Sequence, residues 1–108
     1  MFADSGLSSL PNATFANLTN GGSMFNATSI TTLPNAVTFS KLSNGVNMFR
    51  FSTLTTVRYS KLLVDINTFN SNSSITFHGG NSKYDSTASS SRSNLISKGW
   101  IITDGGLI

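Results

Sequence analysis

The sequence predicts an α+β repeat protein: a short solenoid of about three to four coils, closed at its C-terminal end by a helix and a strand. The dipeptide Met-Phe recurs at Met1, Met24 and Met48, at steps of 23 and 24 residues. Aliphatic residues follow each copy at fixed offsets, and Asn-Gly pairs recur at positions 20 and 44. A period of about 20 to 29 residues with fixed aliphatic positions is typical of a leucine-rich-repeat solenoid, in which each repeat forms one coil.

The repeats occupy residues 1–78, and their aliphatic positions predict one short parallel strand per coil. The expected strands lie near residues 7–10, 30–33, 54–57 and 75–77. Serine and threonine between the aliphatic residues favour extended backbone and form rows of hydroxyls when coils stack. Each Asn-Gly pair marks a turn at which a positive φ angle is tolerated.

Aromatic residues at equivalent repeat positions are predicted to form the core. Phe25 and Phe49 follow Met24 and Met48, and we expect their rings to stack inside the protein. A fourth, degraded copy has Phe69 in place of Met-Phe. Eight phenylalanines supply a large apolar area for so small a chain.

Residues 79–108 break the repeat and are predicted to form a C-terminal cap of loop, helix and strand. A helix is expected over residues 86–98, a stretch without glycine or proline. Asp85 or Ser86 can cap its start, and Gly99 can end it. The last coil of a solenoid has an open face, which we expect Trp100 and the strand that follows it to cover.

Composition excludes several classes of partner. Charged residues are 10% of the chain, and a formal net charge of +3 is far below that of dedicated nucleic-acid-binding proteins. The absence of cysteine excludes disulfides and thiolate metal sites. No apolar run approaches the roughly 18 residues of a membrane span. We therefore predict no nucleic-acid partner, no membrane span and no cofactor.

Residues suited to catalysis or metal binding are few. His78 is the only histidine, and the four carboxylates are scattered at Asp4, Asp65, Asp85 and Asp104. A triad of His78, Asp85 and a serine can be imagined, but serine is so frequent that its presence near a histidine carries no weight. Metal sites need clustered ligands. We predict that the protein is not an enzyme and has no catalytic, cofactor-binding or metal-binding residues.

Four basic residues form a candidate binding patch. Lys41 and Lys61 hold equivalent positions in successive repeats, and Arg50 and Arg58 lie between them in the sequence. Stacked coils place them on one face, where they suit an anionic glycan or a lipid head group. In the alternative interpretation, which the sequence favours, these charges only keep a weakly charged surface soluble.

The phrases Leu-x-x-Leu-Pro, Phe-x-x-Leu-Ser/Thr-Asn-Gly and Met-Phe, in this order, resemble the BspA-like leucine-rich repeats. The tail over residues 93–106 resembles the C-terminal closure of such proteins, so the resemblance covers most of the chain. The family occurs in bacterial surface proteins and lipoproteins, and in tail-fibre and other virion proteins of phages. The resemblance implies a non-catalytic adhesion or recognition module that is extracellular, on a cell surface or in a virion, and it carries over no ligand residues.

Two classes of function remain open. The first is a non-enzymatic binding module that displays a face rich in Ser, Thr and Asn to a cell-surface glycan or protein. The second is a structural or assembly protein, a homo-oligomer or larger assembly whose coils stack between chains, because the first repeat leaves an uncovered strand edge. The residues of that repeat do not have the pattern that predicts a signal peptide, which leaves open another export route, release in a virus particle or a longer parent protein.

Overall fold

The fold class predicted from the repeat is wrong. The structure, a computed structural model, describes Phe15 and residues 17–34 and 37–108. This part of the chain is a small compact α+β protein with two α-helices and two parallel sheets of two short strands each. Where the repeat predicts strands, residues 30–33 and 54–55 are irregular and residues 56–57 begin a helix. The described residues therefore do not form the predicted solenoid.

The elements follow one another as a helix, two strands, a second helix and two more strands. They are α1 Thr56–Phe69, β1 Thr76–His78, β2 Lys83–Tyr84, α2 Ser89–Ser97, β3 Ile101–Thr103 and β4 Gly106–Leu107, with a short 3₁₀ helix at Ser86–Ala88. β1 pairs in parallel with β3, and β2 pairs in parallel with β4. Among the four strands predicted for the coils, only residues 75–77 overlap a strand. Residues 30–33 form none, residues 54–57 run into α1, and residues 7–10 lie outside the described part of the chain.

The largest departure from the prediction is α1. Thr55 caps this helix, because its side-chain oxygen accepts a hydrogen bond from the backbone amide of Arg58 at 3.3 Å. The buried apolar residues of the helix are Tyr59, Leu62, Leu63 and Ile66. Their spacing of three and four residues places them on one face, which packs into the core.

Repeat-equivalent segments nevertheless lie side by side. Segments 20–27 and 44–51 run in parallel, and the Phe25 amide donates to the Met48 carbonyl at 2.8 Å. The Phe49 amide donates in turn to the carbonyl of His78 in β1 at 2.9 Å. The sequence period is thus present as parallel hydrogen bonding between turns, and not as a series of repeated strands.

A row of aromatic rings runs through the core. Phe25 and Phe49 are fully buried and stacked, with ring centroids 5.0 Å apart and planes at 16°, which confirms the prediction for this pair. Phe77 lies 6.1 Å beyond Phe49, and Trp100 lies 6.4 Å beyond Phe77. Phe69, which the repeat places in the same column, is instead 57% exposed at the end of α1.

The glycines of the two Asn-Gly pairs do not have the positive φ angle that the sequence predicts, and both are closely packed. A Cβ at Gly45 would lie 2.9 Å from the Phe77 ring and 3.0 Å from the Thr76 carbonyl oxygen. A Cβ at Gly21 would lie 2.8 Å from the end of the Met48 side chain. Positive φ angles occur instead at three pairs of residues 24 positions apart: Phe15 and Phe39, Ser23 and Asn47, and Ala27 and Phe51.

The C-terminal helix and strand are present where the sequence predicts them. The Asp85 side chain caps the 3₁₀ helix by accepting a hydrogen bond from the Thr87 amide at 3.0 Å. Gly99, with a φ of +89°, allows the chain to turn after α2. Trp100 is 2% exposed, and its indole nitrogen donates to the Asn72 carbonyl at 2.9 Å.

Candidate binding surface

The structure divides the four predicted basic residues between the surface and the interior. Lys41 and Arg50 are exposed. Lys61 lies on α1, where its ammonium is 2.6 Å from a carboxylate oxygen of Asp65, one helical turn later. Arg58 is only 5% exposed. A surface patch can therefore include three of the four residues at most.

Arg58 joins α1 to the chain that precedes it. Its Nε donates to the Leu33 carbonyl at 3.0 Å, and its Nη2 donates to the carbonyls of Pro34 at 2.9 Å and Val37 at 3.2 Å. Burial lowers the pKa of the guanidinium, and the negative charge of Asp65 opposes that effect. Among the described residues, Nη1 has no hydrogen-bond partner. This arginine holds the backbone at residues 33, 34 and 37 against the helix.

A group of exposed hydroxyls lies on two adjoining segments, 29–31 and 53–55; we refer to it as the hydroxyl face. Its members are Ser29, Thr31, Thr53 and Thr55, all exposed. Ile30 and Leu54, the residues between them, are buried. The Thr55 amide donates to the Thr31 carbonyl at 2.8 Å. The two segments therefore present their hydroxyls side by side.

Buried hydrogen bonds hold the hydroxyl face from behind. The Thr28 amide donates to the Ser52 hydroxyl at 3.1 Å, and that hydroxyl donates to the Phe25 carbonyl at 2.7 Å. The Leu54 amide donates to the Ser82 hydroxyl at 2.9 Å. Thr28, Ser52 and Ser82 are all buried. Because a buried polar group without a partner is costly, these bonds fix the backbone beneath the face.

Arg50 and Phe51 form an exposed pair that directly precedes the hydroxyl face. Phe51 is 64% exposed, and the guanidinium carbon of Arg50 lies 4.5 Å from the centroid of its ring. This distance is within the range of a cation–π interaction. The φ angle of Phe51 is +63°, in a region that bulky residues rarely occupy. Because the repeat assigns phenylalanines to the core, it does not predict an exposed Phe51. The sequence contains one indication of this exposure, since the equivalent position in the preceding repeat is the small residue Ala27.

His78 lies at the end of β1, within electrostatic range of Arg50. Its Nδ1 accepts a hydrogen bond from the Gly80 amide at 3.0 Å. Burial lowers the pKa of the imidazole, and the positive charge of Arg50 lowers it further, while Asp104 acts in the opposite direction. The hydrogen bond and the lowered pKa both favour the neutral ring.

Asp104 is the central residue of a buried polar network. Its Oδ2 accepts hydrogen bonds from the Tyr59 hydroxyl at 2.7 Å and from Arg92 Nε at 2.9 Å. Its Oδ1 accepts from Arg92 Nη2 at 3.1 Å and from the Gly106 amide at 3.0 Å. Burial raises the pKa of Tyr59 well above its ordinary value, and the negative charge of Asp104 adds to this. The network joins α1, α2 and the turn between β3 and β4.

Across Phe15, residues 17–34 and residues 37–108, no group of three or more histidine, aspartate or glutamate side chains is arranged as metal ligands. The same residues form no detectable pocket. Neither helix of the described chain is long and apolar enough to span a membrane.

No family model, curated protein or solved structure matches the chain. The resemblance to BspA-like repeats therefore stays a prediction from the sequence motifs.

Proposed function

We propose that the protein is a non-enzymatic binding module that presents its hydroxyl face to a cell-surface glycan or protein, outside the cell or on a virion. The observation that carries the proposal is the exposure of four hydroxyls on two adjoining segments. A hydroxyl both donates and accepts hydrogen bonds, so a group of them matches sugar hydroxyls or the polar rim of a protein surface. The predicted relation to BspA-like repeats supports the same class of function.

The backbone beneath these hydroxyls favours binding because it is already ordered. Ile30 and Leu54 anchor the two segments in the core, and the Leu54 amide donates to the Ser82 hydroxyl. Thr28 and Ser52, which directly precede the two segments, are buried and hydrogen-bonded to each other. A side chain that is fixed before binding loses less conformational entropy when the ligand arrives. Threonine adds to this effect, since its branched side chain has few rotamers.

Glycan arrays and cell-binding assays on the intact protein test the proposal. The double variant Thr31→Val/Thr53→Val removes two hydroxyls while keeping the size of the side chains. We expect it to lose binding while its melting temperature stays that of the parent. Thr55 is left unchanged because it caps α1. The control is Thr103→Val, the same change at an exposed position in β3.

Two results would count against the proposal. A folded parent protein that binds neither glycans nor cells would contradict the function. A folded Thr31→Val/Thr53→Val variant that binds as well as the parent would contradict the role of the hydroxyl face.

A second candidate function is that of a structural protein that forms a homo-oligomer or a larger assembly. The observation that favours it lies at the C-terminal end, where Ile101, Leu107 and Ile108 are each more than half exposed. Exposed aliphatic side chains on short strands favour association with another chain. The uncovered edge predicted for the first repeat lies outside the described residues.

Sedimentation of the pure protein separates this function from the first. An assembly protein is expected to sediment as an oligomer, and Ile101→Lys/Leu107→Lys is expected to shift it to the monomer. A parent protein that is a strict monomer at micromolar concentration would contradict an assembly role.

A further inference from the structure

We propose that Arg50 and Phe51 form a subsite for an acidic sugar, in which the apolar face of a pyranose ring stacks on Phe51 and the carboxylate of the sugar pairs with Arg50. This inference rests on the proposed function and names its ligand class.

The stability of the fold does not account for Phe51. Its ring is 64% exposed and so gains little from burial. Its backbone has a φ of +63°, which is unfavourable for a bulky side chain. Ala27 meets the same backbone requirement at the equivalent position, with a φ of +56°. Backbone strain of this kind clusters at functional sites, which motivates a search for a ligand at Phe51.

Arg50 is available to an external anion. The described chain has two ion pairs, Lys61–Asp65 and Arg92–Asp104, and Arg50 belongs to neither. Its guanidinium lies over one face of the Phe51 ring at 4.5 Å. This contact restricts the guanidinium while leaving donors for a carboxylate, which arginine binds through two parallel hydrogen bonds.

The surroundings of the pair match a sugar. Exposed and buried residues alternate from Phe51 to Thr55, so the ring and the hydroxyls of Thr53 and Thr55 all face solvent on one segment. A ligand that contacts the Phe51 ring, the Arg50 guanidinium and the two threonine hydroxyls must have one apolar face, one anionic group and several hydroxyls. The negative face of an aromatic ring attracts the C–H bonds of a pyranose. A phosphate group alone uses the arginine and leaves both the ring and the hydroxyls without a role.

Two matched probes test the subsite by NMR titration of the full chain. The first is an oligosaccharide of glucuronic acid, and the second is the corresponding oligosaccharide of glucose, in which a hydroxymethyl group replaces each carboxylate. We expect the parent to bind the acidic probe at least about tenfold more tightly than the glucose probe, because a charge-assisted hydrogen bond contributes that much to affinity. The shift changes should centre on residues 50–55, and salt should reduce the preference.

Three variants assign that preference to individual side chains. Arg50→Gln should abolish the preference for the acidic probe. Phe51→Asn should weaken binding of both probes without lowering the melting temperature, because asparagine tolerates a positive φ angle. Lys41→Gln removes the same charge from another exposed position and should leave the preference intact.

Each contrary outcome has a distinct meaning. If Arg50→Gln and Lys41→Gln reduce the preference for the acidic probe equally, the probe is attracted by net charge alone and the subsite is wrong. A parent that binds cells but neither probe would overturn the subsite and leave the proposed function standing. A parent that binds nothing would remove the proposed function. If Phe51→Asn changes only the oligomeric state, the ring is a contact between copies of the chain and the subsite is wrong.

Discussion

Phe49 lies among three aromatic rings, Phe25, Phe39 and Phe77, at centroid distances of 5.0 to 6.4 Å. Replacing it by alanine leaves a cavity at the centre of this row. We expect Phe49→Ala to lower the free energy of unfolding by about 3 to 5 kcal/mol, measured by urea denaturation. The control is Phe51→Ala, which removes an exposed ring and should change stability by no more than about 0.5 kcal/mol. Equal effects of the two substitutions would contradict the burial described for Phe49.

Tyr59 makes stability depend on alkaline pH. Its folded-state pKa is raised, first by burial and then by the charge of Asp104. The stabilisation is therefore complete below the unfolded pKa of about 10 and is lost as the pH rises above it toward the folded pKa. In Tyr59→Phe, this loss should be absent, while stability at neutral pH falls by about 1 kcal/mol for the missing hydrogen bond to Asp104. Urea denaturation over a series of pH values measures both effects, and an unchanged alkaline slope in the variant would contradict the assignment.

The Phe25–Phe49 pair of the aromatic row was predictable from the sequence, whereas the buried side chains of Arg58 and Asp104 were not. The repeat alone places Phe25 opposite Phe49. Arg58 becomes buried because it reaches backbone carbonyls 21 to 25 residues earlier in the chain. Asp104 meets Tyr59 across 45 residues. No local pattern identifies contacts of this kind, so a charged residue in a polar sequence is interpreted as a surface residue.

At the scale of elements, one sequence pattern adopts two structures. Phe39-Ser40-Lys41-Leu42 forms a turn, whereas Tyr59-Ser60-Lys61-Leu62 lies inside α1. The residues that follow decide between them. The first copy continues into Asn44-Gly45, which favours a turn. The second continues with Leu63 and Ile66, which extend the apolar face at helical spacing. The helical spacing of these apolar residues is present in the sequence, but the match to the repeat led to the prediction of a coil in place of a helix.

The ion pair between Arg92 and Asp104 holds α2 against the turn that follows β3. Asp104→Asn should lower the free energy of unfolding by about 3 kcal/mol, since it leaves the arginine without a counter-charge while its side chain is only 19% exposed. Asp65→Asn is the control. It breaks the more exposed pair with Lys61 and removes a negative charge that acts on Arg58, and it should cost at most about 1 kcal/mol. Urea denaturation of both variants measures the difference. Similar small losses in both would show that the buried network contributes little.

At the scale of the whole molecule, the aromatic row crosses the proposed boundary between residues 1–78 and 79–108. Phe77 and Trp100 meet across it, and β1 pairs with β3. Deleting residues 84–108 should therefore expose Ile75 and Phe77 to water. We expect the truncated protein to aggregate and to lose its cooperative melt, as measured by light scattering and calorimetry.

The control for the truncation is Leu107→Ser, which changes one exposed C-terminal side chain and should leave the protein folded. A truncated chain that remains monomeric and melts cooperatively would show that residues 84–108 are an appendage and not part of the core.

The sequence period correctly predicted which segments lie side by side, but it did not predict their conformation. Residues that recur every 23 or 24 positions occupy neighbouring parallel segments in the structure. Adjacency follows from the need to bury equivalent apolar residues together. Conformation depends also on turns and helix caps such as Thr55, which are not part of the repeat. The solenoid prediction failed at that second step.

The parallel hydrogen bonds have a consequence for the rate of folding. The bond from the Phe25 amide to the Met48 carbonyl, like the pairing of β1 with β3, closes a loop of more than 20 residues. Loop closure lowers chain entropy before any contact compensates for it, and proteins dominated by such distant pairings fold in milliseconds to seconds. During that interval the phenylalanine rings face water, and another chain can reach them. The sequence separation that aligns the rings in the native protein therefore also lengthens the folding time, during which a newly made chain can aggregate.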